Sequence, residues 1–488
     1  MAPKTALSLL AVAACALGAD APGTIHTWQK HEITLNSAAS FANPYTDVMV
    51  WVDLKGPGFQ KRVYGFWDGG NTFRVRVLAT APGNWEWRSG SEPSDSGLSG
   101  KTGSFTAHEW SEAEKRQNPL RRGFLRATAN HHALEQADGT PFFVIGDTWY
   151  SVGTNRFRWY DDDKERPMGP EAGFKDYVRY RKAQGYNWVN VIAAFPNWHP
   201  DGQSWRIVMN DPDKTTVRSA WLEFGTGPDA RTGSAKNMSN EGGRPFLFPG
   251  RVPGYEQVFP DMDRINPDYF RYLDRKIDYL NEQGFVAFIE ASRRDASECW
   301  KKYYSWPDSY TRYIQYIFSR YQANNTVLSP VHLDIIHESI TIPDFLNAID
   351  GVFRKFGPPP FGTLLSANAN PSTLVNWGEN SWVTLHQTGN KREHEYYWYM
   401  TEIFRAPNPK PGLNGEPYYS GYVDARGLSG GYKYGAQGGT EKDDQYVRSS
   451  MYGSFLSGGL GGHVYGAEGI WGADIEPAAP IKMWDAFQ

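Results

Sequence analysis

Two hydrophobic patterns divide the chain. Between about Gly23 and His108, apolar and polar residues alternate in short runs: His31-Glu-Ile-Thr-Leu35, Val48-Met-Val-Trp-Val-Asp53, Val63-Tyr-Gly-Phe66 and Phe73-Arg-Val-Arg-Val77. Turn residues separate them at intervals of roughly eight to twelve positions. Alternation gives each strand one buried and one solvated face, so an antiparallel β-sandwich is expected over residues 22–108. Asp68-Gly-Gly-Asn71 is a hairpin signal between two of the runs, and Trp85 and Trp87 alternate on another. The polar stretch from Glu109 to Arg122 reads as a linker, assigned to residues 109–123.

Beyond Phe124 the alternation stops. Continuous apolar runs are now spaced by helical segments, the pattern of parallel βα units whose strands are buried on both faces. Eight candidate strands are Phe142–Ile145, Trp188–Ile192, Val286–Ile289, Leu333–Ile336, Thr363–Leu365, Trp382–Leu385, Pro411–Asn414 and His463–Tyr465. Eight is the number that closes a TIM barrel, so a multidomain fold is predicted: an N-terminal antiparallel β-sandwich followed by a (β/α)8 TIM barrel over 124–488. Amphipathic stretches lie between the strands, among them Phe174–Lys182 and Tyr269–Gln283, the latter announced by Ile265-Asn-Pro267 and stopped by Gly284. The long run from Ala193 to Phe259, rich in Gly, Pro and Asn, is expected to wall a site. After the eighth strand, the residues up to Gln488 leave room for a short final helix.

Composition narrows the function. The chain has 488 residues, a net charge of −4, and 15% aromatic residues including 19 Trp. That balance speaks against nucleic acid as a partner, and the many aromatic faces suit either stacking on sugar rings or a large β-rich core. Lys4 followed by the apolar run Ala6–Leu17 reads as a signal peptide over residues 1–21, too short to span a membrane, so the mature protein is expected to be secreted. Val12-Ala-Ala-Cys15 also fits a lipoprotein pattern, in which Cys15 carries a lipid anchor and the protein is periplasmic or at the cell surface. With Cys299 as the other cysteine, the mature chain forms no internal disulfide.

In such barrels chemistry sits at the carboxyl ends of the strands. There the sequence places Asp147, Asn197 and Trp198, Glu290, Glu338, Asn368, His386, Glu416 and Tyr465 in strand order, a polar ring rich in carboxylates. Trp149, Tyr418 and Trp471 complete the expected substrate contacts. One carboxylic acid to protonate a leaving oxygen, one carboxylate to attack an anomeric carbon, and stacking groups to hold the ring are what glycoside hydrolysis needs. Plainer roles stand beside these. Glu290 has Arg293 and Arg294 downstream as salt-bridge partners, Asp147 can cap the following segment, His386 can be a satisfied core residue, and Asp334 reads as structural. His131-His132 has no second pair at metal-ligand spacing, phosphate-loop and Gly-x-Ser-x-Gly motifs are absent, and no metal or cofactor is expected.

Particular motifs carry a family resemblance over nearly the whole chain from about residue 25. Asn43-Pro-Tyr, Gly65-Phe-Trp-Asp-Gly-Gly70 and Gly83-Asn-Trp-Glu-Trp87 resemble the small β domain preceding some polysaccharide-degrading barrels. Asp138-Gly-Thr-Pro-Phe-Phe-Val-Ile-Gly-Asp-Thr-Trp149, Arg181-Lys-Ala-Gln-Gly-Tyr-Asn-Trp188 and Asn414-Gly-Glu-Pro-Tyr418 resemble the apiosidase-like glycoside hydrolases. The resemblance implies a retaining enzyme whose acid/base follows strand four and whose nucleophile follows strand seven, hence Glu338 and Glu416. Relatives more often read Gly-Asp after strand four, where this chain has His337-Glu338. The expected partner is a plant, algal or microbial polysaccharide or oligosaccharide. Two other readings stay open: a surface lipoprotein of the same fold that binds glycans without cleaving them, and a polysaccharide lyase using His386 beside Arg392.

Overall fold

The alternating runs pair as their pattern requires. The computed structural model describes residues 23–194, 239–251, 253, 260–293, 300–333, 341–379, 381–389, 398–420, 441–467 and 470–471, with two short strands at 206–208 and 216–218. Its N-terminal region is strand-rich. One five-stranded sheet runs Thr24–His26, Thr102–His108, Gly83–Glu92, Met49–Gly56, Phe59–Tyr64, and a three-stranded sheet runs His31–Asn36, Thr72–Val77, Phe66–Trp67. Ile33, Leu35, Phe73 and Val75 of the smaller sheet share one core with Val50, Val52, Trp85 and Phe105 of the larger. The Asp68–Asn71 hairpin forms as expected. Gly69 and Gly70 take φ of +100° and +53°, and Asp68 N–H donates to the Thr72 carbonyl at 2.9 Å.

The stretch expected as a linker is folded. Ser111 and Glu114 close a capping box that starts the helix Glu112–Gln117, and Asn118 caps the following 3-10 turn Pro119–Arg122. Leu120 then packs with Leu125 and Leu134 beneath the parallel sheet.

That sheet is curled, and every pairing in it is parallel. Its seven strands are ordered Thr326–Ser329, Val286–Ser292, Trp188–Ala194, Val144–Thr148, Gly462–Tyr465, Gly412–Asn414, His386–Thr388. A further parallel pair, His332–Leu333 with Asn368–Ala369, lies beside its edges. The segment leading into Asn368 bonds to both edge strands: Leu328 N–H donates to Leu364 O at 3.0 Å, and Leu385 N–H to Leu365 O at 3.1 Å. Inside the curl, Val144, Trp188, Phe288, Val327, Leu385, Leu413 and Val464 form one apolar core. Outside it, a larger core joins the strands to helices that include Phe174–Ala183, Pro267–Glu282, Asp308–Tyr321 and Ile342–Phe356.

Two expected strands are displaced along the chain: Phe142–Ile145 becomes Val144–Thr148, and Trp382–Leu385 becomes His386–Thr388. Thr363–Leu365 pairs in place through Leu364 and Leu365, and Asn368–Ala369 continues it. Runs apolar on both faces have no alternation to mark where pairing begins, so their ends are set by the neighbouring strands.

The N-terminal region meets the helices through buried charge. Asp274 accepts from Arg76 Nη2 at 2.6 Å and from Arg320 Nε and Nη2 at 2.9 and 2.7 Å, while Arg320 Nη2 also reaches Asp68 at 3.0 Å. Burial would raise the Asp274 carboxyl, but the two guanidiniums outweigh it and hold it well below the usual carboxylate range.

Candidate active site

In a parallel strand buried on both faces, successive side chains point alternately into the curl and out to the helices. Counting two residues beyond each inward apolar position therefore identifies the next inward layer. From Trp188 it reaches Asn190, from Phe288 Glu290, from Val327 Ser329, and from Leu385 Gln387; the Leu364 register leads through Ser366 to Asn368. On these strands the interior changes from apolar to polar in this step, while Val144, Leu413 and Val464 lead to Gly146, Gly415 and Gly466. Trp188 Nε1–H donates to Asn190 Oδ1 at 2.7 Å, Asn190 Nδ2 to Gly415 O at 3.1 Å, and Gln387 Nε2 to Ser366 Oγ at 2.9 Å.

Asn368 is the junction of this layer. Its backbone N–H donates to Glu290 Oε1 at 3.1 Å, and its Nδ2 donates to Glu416 Oε2 at 2.8 Å and to the Tyr150 hydroxyl at 2.9 Å. Tyr419 Oη–H donates to Glu416 Oε1 at 3.0 Å, and Glu290 Oε2 lies 2.7 Å from His332 Nδ1. Two carboxylates from the third and seventh strands, Glu290 at 0% and Glu416 at 2% exposure, are thus bound to one asparagine. Burial pushes the Glu290 carboxyl well up; the Asn368 N–H opposes this, nearby Glu416 adds to it, and Arg293 opposes it. Burial and Glu416 likewise push the Tyr150 phenol up. Two glycines make room: a Cβ on Gly389 would overlap the Asn368 carboxamide, and one on Gly415 the Gln387 amide oxygen.

The structure sorts the residues selected from sequence. Glu290, Asn368 and Glu416 come together, and Trp471 packs with Ile192 against Tyr150. Tyr418 is buried in edge contact with Tyr446. Four others face the helix layer. Asp147 lies inside its strand, where Arg181 Nε donates to it at 2.6 Å, and Tyr465 on the neighbouring strand lies under the same guanidinium. Trp149 is enclosed by Phe157 and Phe174. His386 Nδ1 meets Thr373 Oγ1 at 2.8 Å, and burial lowers its pKa to about 4. The reason is the displaced strand frame: Asp147 and His386 were placed beyond strand ends, and both lie within strands on outward positions. Glu338, Asn197, Trp198, Asp334 and Arg392 lie outside the described residues. Sequence reasoning missed Tyr150, His332 and Tyr419; Tyr150 and Tyr419 are next neighbours of selected residues, which was the available signal. Among the described residues no cluster of His, Cys, Asp and Glu is arranged to hold a metal ion, and no helix is long and apolar enough to cross a membrane.

The chain matches the model of the apiosidase-like catalytic domain over residues 128–486, and that of a domain of unknown function (DUF5060) over residues 24–92. Among solved structures it is similar to a candidate glycoside hydrolase from Bacteroides vulgatus, with 18% identity and a TM-score of 0.62, covering 92% of this chain and 74% of that one. It is also similar to a structure described as a glycoside hydrolase, with 15% identity and a TM-score of 0.50, covering 76% of this chain and 72% of that one. At these identities the likeness is one of fold, a glycoside hydrolase-like fold. No curated protein matches the chain.

Proposed function

Because the chain belongs to the apiosidase-like family, we propose that it is an exported, retaining glycoside hydrolase in which Glu416 is the nucleophile and Glu338 the acid/base. The observation that carries this reading is the setting of Glu416. Its carboxylate stands just past the seventh strand, with one oxygen held by the Asn368 carboxamide and the other by the Tyr419 phenol. These two neutral donors orient the carboxylate from either oxygen, as attack on an anomeric carbon requires.

In this reading the curled sheet closes as a (β/α)8 barrel, supported by the bonds of Leu364 and Leu365 to the two edge strands, and the N-terminal sheets form a sandwich around their common core. Glu338 gives a proton to the departing oxygen while Glu416 attacks; water activated by Glu338 then releases the sugar. The two carboxyl groups would stand about 5–5.5 Å apart. The substrate is a glycoside of an oligosaccharide or polysaccharide, and the family directs the first assays to apiosides. Residues 1–21 direct export, tested by the N-terminal sequence of the mature protein.

The test uses paired aryl glycosides. With a 4-nitrophenyl glycoside, Glu338→Gln and Glu416→Gln should each lose about 10²–10⁴-fold in kcat. With the 2,4-dinitrophenyl glycoside, whose leaving group needs no proton, Glu338→Gln should recover bond cleavage and Glu416→Gln should not. Equal recovery in both variants would remove Glu416 from the role of nucleophile, and an inverted anomeric product in the wild type would remove the covalent step.

A further inference from the structure

We propose that Glu290 and His332 are a positioning pair for this hydrolysis: joined by one proton and carrying no net charge, they hold Asn368, which in turn aims Glu416. The proposal rests on the reading of Glu416 as nucleophile.

Glu290 has both oxygens occupied. Oε1 accepts the Asn368 backbone N–H at 3.1 Å and Oε2 lies 2.7 Å from His332 Nδ1, with the two side chains at 0% and 1% exposure. Fixing the Asn368 main chain from one side leaves its Nδ2 pointed at Glu416 Oε2 and the Tyr150 hydroxyl on the other. His332 is itself packed edge-on by the Tyr150 ring, with centroids 4.6 Å apart. The links therefore form a loop, Glu290–Asn368–Tyr150–His332–Glu290, and Glu416 is attached to it at Asn368.

Among the described residues, the charged and titratable groups facing the pair are Glu416, Arg293 and Tyr150. A second full negative charge on Glu290 would sit buried beside Glu416 and push the nucleophile toward protonation. Placing the proton on Glu290 avoids this: the carboxylic acid donates to His332 Nδ1 and still accepts from Asn368. Burial favours that arrangement, since it raises the carboxyl well above its ordinary range.

The neutral arrangement can be copied by an amide. In Glu290→Gln the carboxamide oxygen accepts from Asn368 and its NH2 donates to His332, so kcat should stay within about tenfold of wild type on the 2,4-dinitrophenyl glycoside. Glu290→Leu and His332→Leu release Asn368, and misplacing a reacting group by about 1 Å costs on the order of 10²-fold, so kcat should fall by about that much with KM nearly unchanged. The double Leu variant should be no worse than either single one, since both cut the same loop. A Gln variant as inactive as the Leu variant, or a Leu variant as active as wild type, overturns the proposal. Infrared difference spectra of wild type against Glu290→Gln supply a readout independent of turnover. A protonated carboxyl band at neutral pH, lost in the variant, is expected; its absence overturns the proposal. Should Glu416→Gln prove active, the nucleophile assignment falls, while the infrared result still decides the pair's proton.

Discussion

Asp274→Asn tests the buried charge that joins the N-terminal region to the parallel-sheet region. Asp274 accepts three hydrogen bonds from two guanidiniums that are themselves buried, and Asp68 supplies the only other fully buried carboxylate described in contact with them. Glu32, which reaches Arg76 at 3.0 Å, is half-buried and better screened. The substitution removes one of the two buried anions facing Arg76 and Arg320, and leaves them Asp68, which Arg74 and Arg271 also share, and the half-buried Glu32. Leaving a buried charge without its partner costs about 3–5 kcal/mol, and because the asparagine oxygen still accepts one bond the lower figure is expected. Urea unfolding followed by tryptophan fluorescence reads this as a midpoint shift at unchanged slope. The sign of the pH dependence is also determined. Asp274 titrates well below a free aspartate, so its contribution is full at neutral pH, survives near pH 5, and is lost only as the medium becomes more acid than about 3.9. The gap between wild type and variant should therefore persist at pH 5 and close in stronger acid. Adding Arg320→Met should recover part of the loss by removing the stranded cation. A loss under about 1 kcal/mol at pH 7, or a double variant that falls by the sum of both single losses, would refute the account.

Two further outcomes follow from the same structure. Gly415→Ala places a methyl group on the Gln387 amide oxygen and must move either Gln387 or the turn that carries Glu416, so kcat should fall by about 10²-fold, with KM much less affected; unchanged kinetics would show that the close approach is unimportant. Lys276 is fully buried against the carbonyls of Val152 and Thr154, and burial lowers its pKa to about 8, partly offset by Glu241. The unfolded chain then binds more protons between about pH 8 and 10.4, so stability contributed by this group rises over that window. Lys276→Met should abolish that rise relative to wild type, and parallel stability curves for the two proteins from pH 8 to 10 would contradict it.

Much of the architecture was legible along the chain because its cause is local. Alternation at His31–Leu35 and Phe73–Val77 required half-buried strands, Asp68-Gly-Gly-Asn71 a hairpin, and Asn266-Pro267 a helix start, and all three are present. The Ser111/Glu114 capping box was legible too, in a stretch read instead as a linker. Glu290, Asn368 and Glu416 were selected from strand ends and do meet. Asp147 was selected by the same rule and turned outward to Arg181, because a strand apolar on both faces does not show which residues look in. The residue order thus determined the kinds of element, their sequence and the supply of carboxylates. Tertiary pairing alone decided the phase of each strand, and with it which acids share Asn368 and which face the helices, since a shift of one residue exchanges the two faces and only neighbouring strands can set it.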